Sequence, residues 1–299
     1  MAERIWSGRS HGGNLGTALA CAVARVGGRD LAYLFAIFPA LWFWWRDRAT
    51  RAALTDYWRT LRPGTRTWWR LPRHLWNFAC TLADRVLVAR APAALRLTQS
   101  GQEHVAAARR HPQGCILLSA HLGSFELAAR WLAGQDQAGQ SRLNLVMLDA
   151  EDPRVQAHLA RAMGDRPYGV IDLRDPTNAA LAIAGALSRG ETCCMLGDRT
   201  AGAAAGTVTV DFLGRPARFP VGPFVVAAAS GALVVPTFCC RRGWATWHCE
   251  ADAPWAITLG RRADRQCDLT AAVQRWANRL AEQVRRYPWD WNNYFPFWS

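Results

Sequence analysis

The chain has 299 residues, with 36 basic residues that are all arginine, 23 acidic residues and a formal net charge of +13. Because it contains no lysine, a lysine nucleophile, a Schiff base and a P-loop lysine are excluded. With 51% hydrophobic and 20% charged residues, a chain of this length can bury a full core, and its composition is not that of a disordered protein. The length fits one large domain or two small ones.

The positive charge and the tryptophans are concentrated near the start of the chain. Residues 1–75 contain 12 arginines and 4 acidic residues, and residues 1–76 contain 8 of the 16 tryptophans. Arginine beside tryptophan is typical both of nucleic-acid binders and of proteins at a membrane surface. The segment Leu31–Trp45 (LAYLFAIFPALWFWW) carries no charge and ends in a tryptophan cluster, which favours the membrane and not nucleic acid.

The segment Leu31–Trp45 is too short to be a clear transmembrane span. As a helix it would be about 22 Å long, against about 30 Å for the hydrocarbon core, and Pro39 would bend it. We therefore predict an interfacial or re-entrant anchor in an N-terminal helical membrane-associating region, residues 1–90, with a buried core helix as the alternative. The start of the chain lacks the apolar core of a signal peptide, so we expect the body of the protein to stay in the cytoplasm.

The nine cysteines indicate neither a metal site nor a disulfide framework. Their number is odd, they show no C-x-x-C spacing, and no cysteine and histidine set has the spacing of zinc ligands. Most of them lie in apolar runs such as GCILLS and TCCML, as expected of small buried residues in strands. We therefore assign no metal and no disulfide, and we also expect no cofactor.

From about residue 113 the pattern changes to short apolar runs that alternate with stretches of helical length. This alternation is typical of an α/β layer, so we predict an α/β domain over residues 91–299, with a largely parallel central sheet flanked by helices. The predicted strands are Cys115–Ser119, Leu143–Leu148, Gly169–Leu173, Thr192–Leu196, Thr207–Phe212, Ala232–Phe238 and a further pair around Ala245–Ala251. The predicted helices are Ser124–Ala133, Pro153–Ala162, Asn178–Ser188, Gly222–Ser230 and Leu269–Arg286.

The first candidate site residues follow the apolar run CILLS, in the segment SAHLGSFE. His121 at the strand's carboxyl end and Glu126 in the first turn of the next helix can come within hydrogen-bond reach, at the edge where open α/β sheets bind ligands. A carboxylate on one imidazole nitrogen would leave the other nitrogen as a base, and the helix N-terminus could offer amides to an oxyanion. Equally, the histidine could face solvent while the glutamate only favours the helix dipole.

Polar residues also follow two other predicted strands. Asp198 and Arg199 come directly after TCCML, where Asp198 could brace the imidazole and Arg199 could hold a phosphate. The alternative is a surface ion pair in a turn. Arg174 ends another strand and is a second candidate for a phosphate contact, because a guanidinium presents a planar fork to phosphate oxygens.

Taken in chain order, these residues resemble the motifs of a known family. The segment from His121 to Glu126 is similar to the motif of a histidine, four residues and an acid in the lysophospholipid and glycerolipid acyltransferase superfamily. Over roughly residues 5–298 the chain resembles one branch of it, the lipid A biosynthesis lauroyl/myristoyl acyltransferases. The other matching segments are Val170–Arg174, Leu196–Arg199, Phe212–Pro216 with Phe219–Pro223, Ala232–Phe238, and the aromatic tail Tyr287–Asn292 with Phe295–Trp298.

The resemblance implies transfer of an acyl group from an acyl-carrier-protein or coenzyme A thioester to a hydroxyl or amine of a lipid acceptor. It implies that His121 is the general base, and both Glu126 and Asp198 stay open as the residue that orients it. The expected substrate contacts are Ser124, Arg174 and Arg199. The expected location is the cytoplasmic face of the bacterial inner membrane, with the membrane surface as a partner, and the net charge would help an acidic carrier protein to dock.

Two other functions fit the same residues. A thioesterase-like hydrolase would use His121 to activate water instead of a lipid acceptor, and it would release free fatty acid whether or not an acceptor is present. A non-catalytic scaffold that binds membrane or nucleic acid would leave His121 and Glu126 incidental. Binding to nucleic acid would show a steep dependence on salt.

Overall fold

The computed structural model describes residues 27–90, 95–134, 141–148, 166–199 and 206–298, together with the single residues 23, 158, 161 and 164. Within these ranges the helices are α1 (Gly28–Phe35), α2 (Ile37–Arg46), α3 (Arg48–Leu61), α4 (Arg70–Arg90), α5 (Gln102–Ala108), α6 (Phe125–Gly134), α7 (Pro176–Ser188), α8 (Gly222–Ser230) and α9 (Arg265–Arg286). The strands are β1 (Arg96–Ser100), β2 (Cys115–Ser119), β3 (Leu143–Met147), β4 (Gly169–Asp172), β5 (Thr192–Leu196), β6 (Thr207–Phe212), β7 (Arg215–Pro220), β8 (Leu233–Arg241) and β9 (Thr246–Ala251).

Residues 27–90 of the N-terminal region are mostly helical, and the apolar segment Leu31–Trp45 is divided between two of the helices. The helical segment is interrupted at Ala36, which follows α1 and precedes α2. The ring of Pro39 accounts for this break, because a proline clashes with the carbonyl group four residues before it, here that of Phe35. Among the described residues no helix has both the length and the apolar character needed to cross a membrane.

The helices α1 and α2 bury one face and expose the other. Residues such as Ala32 and Ala40 are buried, whereas Phe38 is 67% exposed and Trp45 is 73% exposed. The alternative of a fully buried core helix over Leu31–Trp45 is therefore wrong. The buried face packs against α4, which leaves an apolar surface on the other side of the pair.

Seven strands form the central sheet in the order β1-β9-β8-β2-β5-β3-β4. Every neighbouring pair is parallel except β8 and β9, which confirms the predicted α/β class with a largely parallel sheet. Side chains of β2 alternate between two hydrophobic clusters, with Ile116 and Leu118 in the larger and Cys115 and Leu117 in the other. Burial on both faces explains why this strand is an unbroken apolar run.

The strands differ from the prediction in four places. β7 is not among the predicted strands, and one strand, β9, stands where a further pair is predicted around Ala245–Ala251. β1 is not predicted, because its sequence RLTQS is polar and half exposed. It joins the sheet through parallel main-chain pairing with β9. Thr207–Phe212 is a strand, as predicted, but it lies outside the central sheet and pairs antiparallel with β7 in a separate hairpin. Its turn holds Leu213 at φ 59° and Gly214 at φ 85°. The predicted helix Pro153–Ala162 lies almost wholly outside the described residues.

A buried ionic network joins the N-terminal helices to the sheet. Arg241 of β8 pairs with Asp84 of α4 at 2.8 Å, and the Tyr33 hydroxyl of α1 donates to the same carboxylate at 2.7 Å. Tyr57 of α3 lies in the same hydrophobic cluster as the core residues of β2. The helix α4 ends at Arg90, next to the expected boundary between residues 1–90 and 91–299. The division into two domains stays a prediction.

Candidate active site

The strands β2 and β5 are neighbours and end at the same edge of the sheet. Their last residues, Ser119 and Leu196, lie opposite each other in the parallel register, and the amide of Gly197 donates to the carbonyl oxygen of Ser119 at 2.8 Å. The segments that follow the two strands therefore leave the sheet side by side. His121 follows β2 and Asp198 follows β5, so the topology brings together two residues that are 77 positions apart.

His121 and Asp198 form a hydrogen-bonded pair. Nδ1 of His121 lies 2.8 Å from Oδ1 of Asp198, and the main-chain amide of His121 donates to Oδ2 at 3.1 Å. An ionised carboxylate only accepts hydrogen bonds, so this contact assigns the ring proton to Nδ1 and leaves Nε2 as the basic nitrogen. The His121 side chain is 19% exposed while that of Asp198 is completely buried. A molecule from outside can therefore reach the ring but not the carboxylate.

The electrostatic surroundings keep the histidine neutral and the aspartate ionised. Burial lowers the pKa of His121 from its ordinary value, and the positive charge of Arg199 lowers it further, against the opposing effect of Asp198. For Asp198, burial would raise the pKa, but the interaction with His121, through its ring and its main-chain amide, and the positive charge of Arg199 outweigh burial and hold the pKa below the ordinary value. A neutral imidazole beside a carboxylate is the state in which a histidine acts as a general base.

Glu126 does not lie on the imidazole. Its carboxylate pairs with the guanidinium of Arg85 on α4, and the Glu126 side chain is only 11% exposed. Of the two acids that the sequence leaves open, Asp198 is therefore the one that orients His121. A catalytic role of Glu126 stays a prediction.

The turn between β2 and α6 depends on a glycine and on a helix cap. Gly123 has φ +70°, and a Cβ atom there would lie 1.9 Å from the carbonyl oxygen of Cys239, so no other residue fits. Ser124 is buried, its amide donates to that same carbonyl at 2.9 Å, and its hydroxyl accepts from the amide of Leu127 at 3.4 Å. Ser124 thus caps α6, and its predicted contact with substrate stays a prediction.

The two predicted phosphate contacts are placed differently. The guanidinium of Arg199 donates to the carbonyl of Asn292 and lies 4.7 Å from the ring centre of Phe295, and burial lowers its pKa to about 10. Its Nε is buried and has no hydrogen-bond partner among the described residues. Arg174 is 65% exposed and pairs with Asp172 at the end of β4. That strand is three positions from β2, about 14 Å away, so Arg174 shares the sheet edge without touching the His121 site.

The C-terminal tail lies directly over the His121 turn. The amide of Gly123 donates to the carbonyl of Asp290 at 2.8 Å, and the amide of Asn292 donates to the carbonyl of His121 at 2.7 Å. Between them, Trp291 forms an isolated antiparallel bridge with Leu122. The sequence marks this tail by its aromatic residues and by its resemblance to a family motif, and it assigns no role to any single residue there.

Comparison with known proteins agrees with this geometry. A family model described as a bacterial lipid A biosynthesis acyltransferase matches residues 82–298, which include both strand ends and the tail. The chain belongs to this acyltransferase family. The resemblance that the sequence motifs indicate is thereby confirmed, and the chain is a member of a family of lipid acyltransferases.

Curated relatives of this family member come from mycobacteria. A phosphatidylinositol mannoside acyltransferase of Mycobacterium tuberculosis (strain ATCC 25618 / H37Rv) is 26% identical over 207 residues, which make up 66% of this chain and 58% of the relative. The enzyme of the same name from Mycolicibacterium smegmatis is 26% identical over 205 residues, 66% of this chain and 60% of the relative. The chain therefore matches less than two thirds of the length of either relative.

This acyltransferase family member is also similar to solved structures. The crystal structure of the 1-acyl-sn-glycerophosphate (LPA) acyltransferase, PlsC, from Thermotoga maritima covers 91% of this chain, and 97% of that structure is covered in turn. The sequence identity is 14% and the TM-score is 0.37. At these values the likeness carries no further weight.

Other groups that could supply acyl-transfer chemistry are poorly placed in this family member. Burial raises the pKa of the Cys115 thiol to about 11 and that of the Cys193 thiol to about 12, so both stay protonated. In the part of the chain that the structure describes, no group of three or more His, Cys, Asp or Glu residues could hold a metal ion. The His121 and Asp198 pair, in contrast to these thiols, can accept a proton near neutral pH.

Proposed function

We propose that this family member transfers a fatty acyl group from an acyl-carrier-protein or coenzyme A thioester to a hydroxyl, or an amine, of a lipid acceptor, with His121 as the general base. Nε2 of His121 takes the proton of the acceptor, and the freed oxygen or nitrogen attacks the thioester carbonyl. The C–S bond then breaks, and the leaving thiolate receives the proton from the imidazolium. The single observation that carries the proposal is the hydrogen bond of 2.8 Å between His121 and the buried Asp198.

The acceptor that we propose is a membrane glycolipid with acidic groups. The names of the mycobacterial relatives, phosphatidylinositol mannoside acyltransferases, support such an acceptor. Lauroyl or myristoyl transfer to lipid A, which the sequence motifs imply, is the second candidate within the same class. Arg199, next to the base, would bind an acidic group of the donor or acceptor, and Arg174 would do so farther along the sheet edge.

We propose that the exposed face of α1 and α2 lies on the membrane surface, at the cytoplasmic face of the inner membrane. The face is formed by exposed apolar side chains on two successive helices. They are Leu31, Leu34, Ile37, Phe38, Leu41, Trp42 and Trp45. An apolar helix face with tryptophan and with arginine at its end, here Arg46, is typical of helices that lie in the lipid interface.

The donor thioester is a partner that the charge of the protein would attract. A net charge of +13 favours the acidic surface of an acyl-carrier protein, and it equally favours the phosphates of coenzyme A. Both donors present the same thioester carbonyl to the base. Rates measured with each donor, at low and at high salt, distinguish them.

The experiment that tests the proposed function is an assay of the purified protein with each thioester and with vesicles that contain a glycolipid acceptor, followed by mass spectrometry of the lipids. We expect an acylated lipid and free thiol from the wild-type protein. His121→Ala should lower the rate by about a hundredfold or more, because general-base catalysis contributes that much. Undiminished transfer by His121→Ala contradicts the proposal. Free fatty acid formed equally fast with and without acceptor indicates the hydrolase instead.

A further inference from the structure

The carboxylate of Asp198 has a third hydrogen-bond donor besides the two from His121. The indole Nε1 of Trp291 donates to Oδ2 of Asp198 at 3.3 Å, while Oδ1 accepts from the imidazole. Trp291 is fully buried, and Asp198 is 1% exposed. A buried carboxylate needs such donors, because each one replaces a hydrogen bond to water that burial has removed.

The position of this indole is set by the tail and by its neighbours. The main chain of Trp291 pairs with Leu122, and its carbonyl oxygen lies 3.1 Å from Nε2 of the buried His74. Its ring packs against Tyr57 and Phe212, with ring centres 5.2 Å and 5.4 Å away. Contacts on the backbone and on the ring leave the N–H one direction, toward Asp198.

We propose that Trp291 is a positioning residue for acyl transfer, whose indole N–H holds the Asp198 carboxylate in the orientation that aligns His121. This inference rests on the proposed function. Trp291 acts through Asp198 and touches neither substrate. An indole is suited to this task because it only donates, so it cannot compete with the carboxylate for the ring proton of His121.

The alternative role of Trp291 is packing alone, and the chain offers a matched control for it. Trp298 lies in the same tail and in the same aromatic cluster, and its Nε1 donates to the carbonyl of Phe212 at 3.0 Å. Trp291→Phe and Trp298→Phe therefore each remove one buried indole and one hydrogen bond. Only the first removes a hydrogen bond to Asp198.

The two variants are compared in steady-state acyl transfer. We expect Trp291→Phe to lower kcat by about ten- to a hundredfold, the range for a lost hydrogen bond to a charged group, with KM for both substrates within about twofold. Trp298→Phe should keep kcat within about twofold of the wild type. A wild-type kcat in Trp291→Phe overturns the proposal, and so does an equal loss in both variants.

A double-mutant cycle tests whether the effect passes through Asp198. In the Asp198→Ala background we expect Trp291→Phe to lower kcat by no more than about twofold, because the side-chain oxygen that accepts the indole hydrogen bond is already absent. A packing role predicts the same fold-loss in both backgrounds. That result would overturn the proposal.

If Trp291→Phe fails to fold, the hydrogen bond between Trp291 and Asp198 can still be tested in protein that keeps Trp291. In isotope-labelled protein studied by NMR, we expect Asp198→Asn to move the indole N–H resonance of Trp291 more than that of Trp298. An unmoved Trp291 resonance overturns the proposal. This measurement needs no turnover, so a wild-type protein without acyl transfer would refute the proposed function while the resonance still tests the contact.

Discussion

Nδ1 of His121 lies 2.8 Å from Oδ1 of Asp198, across 77 residues of sequence, whereas Glu126, only five residues away along the chain, pairs with Arg85. Because β2 and β5 are neighbouring parallel strands, His121 contacts the acid that follows β5 and not the acid nearer to it in sequence. The pairing separates two acids that the motif alone cannot distinguish, and it leads to different expectations for their substitution.

Asp198→Asn should lower kcat by about a thousandfold. The amide can no longer hold the ring proton on Nδ1 as an anion does, so the basic nitrogen is lost or misdirected. Glu126→Gln should instead lower the free energy of unfolding by about 1 kcal/mol through the loss of its partly buried ion pair with Arg85, and kcat should fall far less. Kinetics and urea unfolding of both variants check this. If Glu126→Gln lowers kcat more than Asp198→Asn does, Glu126 and not Asp198 is the acid that acts with His121.

The pH profile of kcat/KM should have its acid limb below pH 6.5, the ordinary pKa of a histidine. Burial and then the charge of Arg199 lower the pKa of His121, and a general base works only when it is unprotonated. Activity therefore rises with pH through the lowered pKa and is already present at pH 6.5. Arg199→Gln removes a positive charge and should move the limb to higher pH.

The control for this shift is Arg189→Gln, which removes an exposed guanidinium that pairs with Glu191. It should leave the limb where it is, because solvent screens an exposed charge. A limb at or above the ordinary histidine value in the wild-type protein, or equal shifts in both variants, contradicts the electrostatic account of His121.

The double substitution Phe38→Ser with Trp45→Ser should weaken binding to anionic lipid vesicles by about a hundredfold or more, since each side chain contributes roughly 1.5–3 kcal/mol when it leaves water. Leu181→Ser on α7 is the matched control, because Leu181 is 68% exposed and lies outside the α1 and α2 face. Cosedimentation with vesicles measures both. Equal binding by the double variant and the control would remove this face from the membrane contact.

Gly123→Ala should destabilise the protein by at least about 2 kcal/mol more than Gly64→Ala. Both glycines have positive φ, +70° and +73°, so both substitutions carry the same backbone strain. Only at Gly123 would the new Cβ meet a neighbour, the carbonyl oxygen of Cys239 at 1.9 Å, whereas Gly64 has open space. The difference between the two losses of unfolding free energy therefore measures the effect of the close contact between this turn and β8. Equal losses in both variants would contradict the prediction.

Much of the fold can be predicted from the sequence because parallel strands are buried on both faces. Runs such as CILLS and TCCML mark β2 and β5 with correct bounds, and the long amphipathic stretch over α9 marks a helix. β1 escapes this reasoning, because an edge strand of polar residues has no apolar run. The placement of β6 in a separate hairpin also escapes it, because strand order is a property of the whole sheet.

By itself, the sequence predicted the α/β class, His121 as the candidate base, and Glu126 and Asp198 as its possible partners. His121, Asp198 and Arg199 each end an apolar strand, and parallel strands present their carboxyl ends at one edge. Only the tertiary structure decided which partners meet, because β5 lies directly beside β2 while β4 lies three strands away. It also decided that the tail closes over the His121 turn, since contacts such as that of Trp291 with Asp198 form between segments that no local pattern relates.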